Sequence, residues 1–385
     1  MKIACVIHRF GADIAGGSEG HCRLIADHLA GRHDVTILTT CAKDHITWKN
    51  HYPVGESRVG ALRVVRFPVD QPRHLHRFMD ISDRVFADRA TLEEQEQWFR
   101  ENGPDVPALL EHLRHHGDDY DRVLFWSYRY YDAYFGLPIV AGRAILVPTA
   151  EEDPLIHVDV LERYFALPRG LLYLTPEEQE LVEMRLPPGK PSEIIGCGLD
   201  AVVDAPDRAC LDPLGLTDPF VLYLGRIDPN KGCDALVRHF LRYVEGGGRA
   251  VQLVIAGPSS MPIPDHPSIR ALGFVEHEVR EALLSRARAL MMPSPFESLS
   301  MVLLEAWNHG LPALVNARCK VLRGQVERAD GGLYYGNAIE FSAALDYLLD
   351  HPDAAAELGR QGLAYVDREY RWPTVMEKIE RLLAV

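Results

Sequence analysis

No stretch of this 385-residue sequence approaches the length of a transmembrane helix, and the apolar run near its start, IACVIH after Met1-Lys2, is too short for the core of a signal peptide. A cytoplasmic protein with no integral membrane segment is therefore expected. Cysteine is sparse and irregularly placed. The seven residues Cys5, Cys22, Cys41, Cys197, Cys210, Cys233 and Cys319 never form a CxxC pair, which argues against a disulfide framework and a zinc site and suits a reducing compartment. Basic charge is also short. The formal charge is −14 and both halves carry more acid than base, so nothing marks a nucleic-acid footprint or a strongly anionic membrane partner. The local exception, Arg73, His74, His76 and Arg77, reads as a solvated loop. There is no GxGxxG, which counts against a dinucleotide cofactor, and no short-period repeat or low-complexity tract.

What is present is ordinary soluble composition, 47% hydrophobic and 25% charged, in a chain longer than one core usually supports. Two domains are expected. Short β-rich runs alternate with helical periodicity: Ile3 to His8, a helix from about Ser18 to Ala30, Val35 to Thr40, and Leu62 to Phe67. A charged segment from Asp80 to His116 reads as one or two helices broken at Gly103-Pro104. Strands are then expected at Val123 to Trp126, Ala144 to Pro148, Gly170 to Leu174 and Glu193 to Ile195. The alternation pauses over Gly198 to Pro219, a proline- and aspartate-rich linker, and restarts at Phe220 to Leu224, with a helix from Lys231 to about Glu245. The expected organisation is α/β, two Rossmann-like β/α/β domains facing one another across a cleft, with boundaries at 1–198, 199–370 and 371–385.

Ligands of open parallel sheets bind beyond the carboxyl ends of the strands, so the segments after each strand are the first places to search. The richest is Met291 to His309, MMPSPFESLSMVLLEAWNH, where a strand ends and a helix opens near Ser300. Glu297 falls in the loop and Glu305 in the second helical turn, where an apolar setting calls for a fixed partner. The amides of Leu299, Ser300 and Met301 lie at the helix start, a ready anion site. In an acidic chain, two glutamates eight apart also arise by chance.

After Phe220 to Leu224 comes Gly225-Arg226-Ile227-Asp228-Pro229-Asn230-Lys231-Gly232, whose Arg226 and Lys231 together could neutralise a diphosphate without a metal. Lys231, read as lying in the first turn of a helix, opposes the macrodipole unless an anion binds there. Ala256-Gly257-Pro258 and Gly273-Phe274-Val275 flank that site, although Phe274 reads equally well as core. In the first half, the loop GADIAGGSEG brings Gly16 and Gly17 to a helix start, where backbone can approach a ligand closely or simply turn. Trp126-Ser127-Tyr128-Arg129-Tyr130-Tyr131 and Pro148-Thr149-Ala150-Glu151-Glu152-Asp153-Pro154 follow strands as an aromatic–cationic cluster and a carboxylate run, the latter also readable as a solvated loop. Asp119-Tyr120-Asp121 has metal–nucleotide spacing but precedes its strand, at the wrong end. His112, His115 and His116 lie in the same connector and read as surface histidines.

GGSE, GRIDPNKG and FESLSMVLLE, in this order and on these elements, resemble the family 4 retaining glycosyltransferases, which adopt the GT-B fold. The resemblance extends over essentially the whole chain. It implies a nucleotide-diphosphate sugar donor (UDP or GDP), an acceptor that is a glycan, a lipid-linked or a small molecule, no nucleic acid, and no metal or other cofactor. On this resemblance Arg226, Lys231 and Glu297 are catalytic. Arg226 and Lys231 bind the diphosphate, Glu305 the ribose hydroxyls and Glu297 the hydroxyls of the donor sugar. Gly16 and Gly17 approach the phosphates, Gly257, Leu299 and Ser300 line the donor, and the backbone at Phe274 and Val275 holds the base. Tyr128, Arg129, Glu151 and Glu152 face the acceptor. The last helix, Arg371 to Val385, is implied to cross back to the first domain. One departure stands out: close members read His-Asp-Glu-Pro where this sequence has Glu151-Glu152-Asp153-Pro154, which leaves open altered acceptor choice or reduced transfer. Another GT-B reaction such as 2-epimerisation, and a non-catalytic sugar-nucleotide binding protein, are the alternatives. A phosphorylase would need a pyridoxal-phosphate lysine, for which no sequence context is visible.

Overall fold

The computed structural model describes every residue except 15, 188, 204–207 and 217–218. It comprises two compact units, Met1–Gly198 with Val375–Val385, and Leu199–Thr374. Of the linker expected over 198–219, residues 204–207 and 217–218 lie outside the described residues, and a 3-10 segment spans Arg208–Leu214.

The first unit is built on eight strands: β1 (Lys2–Ile7), β2 (Asp34–Thr40), β3 (Gly55–Val59), β4 (Leu62–Phe67), β5 (Arg122–Trp126), β6 (Ala144–Val147), β7 (Gly170–Tyr173) and β8 (Ser192–Ile194). They lie in the order β3-β4-β2-β1-β5-β6-β7-β8. All neighbours are parallel except β3 and β4. Cys5 stands opposite Ile37 on one side and Leu124 on the other, so β1 is covered along both edges and reads as an unbroken apolar run. The edge strand β3, GESRV, was not expected from the sequence because its side chains alternate between exposed and half-buried, with no apolar stripe to betray it. The charged segment after β4 forms three helices, Leu75–Phe86, Leu92–Asn102 and Pro107–His116, rather than one or two. The additional break is marked by a capping box at Thr91, whose hydroxyl accepts from Glu94 N–H while the Glu94 carboxylate accepts from Thr91 N–H. The core here joins Leu109 and Leu113 to Phe125, Leu146 and Phe165. Residues 375–385 pack with this unit: Glu380 pairs with His33 at 2.9 Å, and Arg122 Nε donates to Leu383 O at 2.9 Å.

The second unit carries β9 (Phe220–Leu224), β10 (Gln252–Ala256), β11 (Ile269–Gly273), β12 (Leu290–Met292), β13 (Ala313–Asn316) and β14 (Gly332–Tyr335), all parallel, in the order β11-β10-β9-β12-β13-β14. The chain runs outward from β9 to β11, then returns to lay β12 on the other side of β9. The loops after β9 and β12 therefore diverge from neighbouring strands, making a topological switch point. In the first sheet the same reversal falls between β1 and β5. The helix Met301–Asn308 that follows β12 is held from behind by Pro352–Glu369. A Cβ on Gly362 would sit 2.4 Å from Trp307 Cδ1, and one on Gly359 would sit 1.9 Å from Gly310 O, so only glycine permits this approach. Among the described residues, no helix is long and apolar enough to cross a membrane.

Candidate functional site

At the switch point of the second unit, Lys231 Nζ meets Glu297 Oε1 at 2.9 Å, with the two side chains 30% and 12% exposed. The sequence reading placed Lys231 in a helical first turn; it lies instead in a 3-10 turn, Pro229–Lys231. The α-helix starts after it, at Cys233–Glu245, with Gly232 as the left-handed N-cap. The macrodipole argument for an anion is thus replaced by a direct one: the ammonium is aimed across the switch point at a carboxylate. Gly232 makes this possible, since at φ 71° its Cβ would come within 2.3 Å of Pro293 O. The same carbonyl accepts from Asn316 Nδ2 at 2.9 Å, which ties the loops after β9, β12 and β13 together.

Arg226, about half exposed, lies 3.5 Å (Nε) from Asp228 Oδ2, and Asp228 Oδ1 accepts from Asn230 N–H at 2.8 Å. The loops after β9 and β10 are stitched by Gly225 N–H to Ala256 O (3.0 Å) and Ile227 N–H to Pro258 O (2.8 Å). Gly257 has φ 144°, and a Cβ there would lie 1.9 Å from Gly225 O. Beyond β11, Phe274 is 71% exposed, which excludes its alternative reading as a core residue; Val275 beside it is half-buried.

Ser300 is the N-cap of Met301–Asn308, its Oγ accepting from Leu303 N–H at 3.2 Å. The first intrahelical backbone bond, Leu304 N–H to Ser300 O, is 3.3 Å. The amides of Leu299, Ser300 and Met301 precede it, where an α-helix has no carbonyl of its own to offer them. The partner that Glu305 required is Arg280, from the helix His277–Arg286. Burial pushes the Arg280 pKa down, opposed by the charge of neighbouring Glu281. Sequence reasoning missed Arg280, because no local spacing links it to Glu305. The arrangement thus combines cations, the amides at a helix start and two half-buried carboxylates at one strand-end face, a set suited to a polyhydroxylated phosphate ester.

In the first unit the loop after β1 holds a charged cluster that spacing did not reveal. Glu19, 7% exposed, accepts from His8 Nε2 at 3.1 Å and from Arg9 Nε at 2.5 Å. Burial alone would raise its carboxyl; His8 and Arg9 hold it down at about 2. A Cβ on Gly16 would lie 2.0 Å from Glu19 Oε2, so that glycine makes room for the carboxylate, whereas Gly17 faces open space. His8 also packs at a tilt on Tyr130, with ring centroids 3.8 Å apart. Asp132, fully buried after β5, has neither carboxylate oxygen hydrogen-bonded within the described structure, and burial raises its pKa to about 6.

The acceptor-facing set requires correction. Tyr128 is fully buried against Phe165, so its ring cannot stack on an acceptor, and burial raises its phenol well above the ordinary range. Arg129 is drawn to Asp153, the third carboxylate of the loop, whose Oδ1 also caps Leu155 N–H at 3.1 Å. That leaves Glu151, half-buried, and Glu152, exposed, on the loop surface. The loop is anchored from below by Glu178, which accepts from Ala150 N–H at 2.6 Å and Leu174 N–H at 2.5 Å; burial pushes its carboxyl up to about 8. His21 is structural: Nδ1 accepts from Trp126 Nε1 at 3.0 Å, so Nε2 carries the proton donated to Gly196 O at 2.7 Å. Asp121 accepts from Lys2 N–H at 2.7 Å at the amino end of the sheet, and His116 meets Asp119 at 3.1 Å.

Two parallel-sheet α/β units with ligand-binding chemistry at a strand-end switch point make the GT-B architecture. Over its whole length the chain is similar to sucrose-phosphate synthase from Thermosynechococcus elongatus (TM-score 0.72, 18% identity, 98% of that chain covered). It is likewise similar to Anabaena HepE in complex with UDP and glucose (TM-score 0.71, 14% identity, 99% of that chain covered). Residues 218–351 match the family described as Glycosyl transferases group 1. It is 31% identical over 179 residues, 41% of its length, to D-inositol 3-phosphate glycosyltransferase of Acidothermus cellulolyticus. It is 27% identical over 187 residues, 44% of its length, to a GDP-mannose-dependent monoacylated α-(1-6)-phosphatidylinositol monomannoside mannosyltransferase of Corynebacterium glutamicum. These matches span 39% and 49% of the two relatives, less than half of either.

Proposed function

We propose that the protein is a family 4 retaining glycosyltransferase that moves a sugar from a UDP- or GDP-linked donor to a glycan, lipid-linked or small-molecule acceptor. The observation that carries this reading is the Lys231–Glu297 pair at the switch point of the second sheet, with Glu297 in the loop that leads into the helix Met301–Asn308. Arg226, Lys231 and the amides of Leu299 and Ser300 stabilise the charge that grows on the departing diphosphate, usually the largest catalytic term. Because these groups supply the positive charge, no metal is required. Glu305 takes the ribose hydroxyls, sharing its carboxylate with Arg280, and Glu297 takes hydroxyls of the transferred sugar. The backbone at Phe274 and Val275 holds the base. No carboxylate in this set is placed as a nucleophile, so the acceptor attacks from the face the diphosphate leaves, and the departing phosphate oxygen accepts its proton. The names of the relatives, one GDP-mannose-dependent, and the UDP bound to HepE support a nucleotide-diphosphate donor. Cysteines that form no disulfide among the described residues support a reducing compartment such as the cytoplasm.

Calorimetric titration with UDP, GDP, UDP-glucose and GDP-mannose, first without metal and then with magnesium, tests the donor site. Metal-independent binding of one nucleotide supports the reading; no binding of any refutes it. A second reading, a sugar-nucleotide binding protein without transfer, is favoured by Glu151 in place of the family's histidine. Product analysis decides between them, since that protein would bind nucleotide and yield neither transfer nor hydrolysis.

A further inference from the structure

A cavity of about 430 Å³ opens in the first unit between the loop after β1 and the segment after β2. This is the size of a small-molecule site. Arg9, Lys43 and Lys49 line it together with Asp13 and Asp44, and Ile14 supplies an apolar wall.

The carboxylates at this cavity are already engaged. Asp13 accepts from Lys43 Nζ at 2.5 Å and from the Tyr52 hydroxyl, which hold its carboxyl down at about 2. Asp44 accepts from Ile46 N–H at 3.0 Å, Thr47 N–H at 2.6 Å and the Thr47 hydroxyl. Behind Arg9, Glu19 takes the Nε proton.

The donors are not exhausted. Lys49 has no ion pair or hydrogen bond among the described residues, and its side chain is exposed. Arg9 directs Nε to Glu19 and Nη1 to Lys43 O (2.8 Å), which leaves part of its five-donor fork. Lys43 retains donors beyond its bond to Asp13, in a pair whose members are 42% and 51% exposed. Solvent screens so exposed a pair, so a ligand can draw Lys43 off Asp13 at small cost. The balance is an excess of cationic N–H groups over free acceptor oxygens, in a chain that is otherwise acidic.

We propose that this cavity binds the anionic group, phosphate or carboxylate, of a sugar-sized polyol, and that such a molecule is the acceptor. Lys43 and Lys49 hold the anion, Arg9 adds a fork contact, and the oxygens of Asp13 and Asp44 receive hydroxyls. The acceptor assignment rests on the glycosyltransferase reading; the binding site does not.

The test titrates the full chain with glucose 6-phosphate, glucuronate, inorganic phosphate and glucose, with and without saturating UDP or GDP, and repeats each titration on Lys43→Ala/Lys49→Ala. The expected result is binding of an anionic sugar at least tenfold tighter than glucose, weakened tenfold or more in the double variant, while nucleotide affinity changes less than threefold. Which of the two anionic sugars binds identifies the anion. Equal binding of glucose, no binding of either anionic sugar, or anion binding unchanged in the double variant overturns the site. If the anion binds and no nucleotide does, the cavity stands and the glycosyltransferase reading falls. The converse result leaves that reading intact and removes this one. Both lysines lie on exposed loop positions, and an unchanged melting temperature of the double variant verifies that it folds.

Discussion

Replacing Lys231 by alanine removes an ammonium that meets a carboxylate across the switch point of the second unit. In the free protein the change breaks a 2.9 Å contact between side chains 30% and 12% exposed. That places it between surface pairs, worth about 0.2–1 kcal/mol, and buried pairs, whose breaking costs about 3–5 kcal/mol; roughly 1–2 kcal/mol of stability should be lost. The effect on nucleotide binding is larger. A cation about 4 Å from a phosphate charge gains about 4 kcal/mol at an effective dielectric near 20, before the desolvation of both groups is subtracted. If roughly 1.4–2.8 kcal/mol survives, Kd for UDP or GDP should rise about 10- to 100-fold. Glu297, no longer facing the Lys231 ammonium, adds repulsion in the same direction, so Lys231→Ala/Glu297→Gln should recover part of the loss. The assay is isothermal titration of the parent, both variants and Asp121→Asn, which lies at the opposite strand end and should match the parent. A Lys231→Ala protein that folds and binds within twofold of the parent would refute the assignment of this pair to the donor phosphates.

The remaining predictions concern the loops that set the two strand-end faces. Gly232→Ala places a Cβ 2.3 Å from Pro293 O in a left-handed backbone; the backbone term alone costs about 1–3 kcal/mol, so a lower melting temperature and weaker nucleotide binding are expected together. For Glu19 the folded carboxyl, held at about 2, lies below its ordinary value of 4.5. Its contribution is therefore full above pH 4.5 and lost as pH falls toward 2, and Glu19→Gln should cost up to roughly 3 kcal/mol at pH 7 and little at pH 2, read by denaturant melts across that range. Asp132 has the opposite sign. Its pKa is raised to about 6 from 3.8, so ionisation destabilises the fold progressively from pH 3.8 to 6 and fully above it; Asp132→Asn should raise the melting temperature at pH 8 and leave it unchanged at pH 3.5, and a loss at pH 8 would contradict the burial argument.

Much of this architecture could be read from residue order. The apolar runs that became β1, β2, β5, β6, β9, β10 and β12 are visible because strands covered on both faces carry continuous Val, Ile and Leu. Edge strand β3 was hidden because it has only one partner and no buried face to write into its sequence. In the second unit the candidate donor residues were picked out by position after strands together with the GRIDPNKG and FESLSMVLLE segments. Chemistry alone would have left Glu305 ambiguous, since a glutamate in an apolar helix needs a partner but nothing nearby in sequence names Arg280. Tyr128 misled for a related reason: an aromatic just past a strand reads as a ligand platform, and only packing on Phe165 shows that it faces the core.

Hydrophobic periodicity, turn residues and the placement of charge after strands determined the α/β class, the two successive β/α runs and the face of each sheet that carries chemistry. These are local properties, encoded within a few residues of where they act. Tertiary structure decided the pairings: Lys231 with Glu297, 66 residues apart; Arg280 with Glu305, 25 apart; Lys43 with Asp13. Strand order, which the sequence does not state, brings the loops after β9 and β12 side by side, and a hydrogen bond or ion pair acts only over a few ångströms, so which charges meet is settled by the fold.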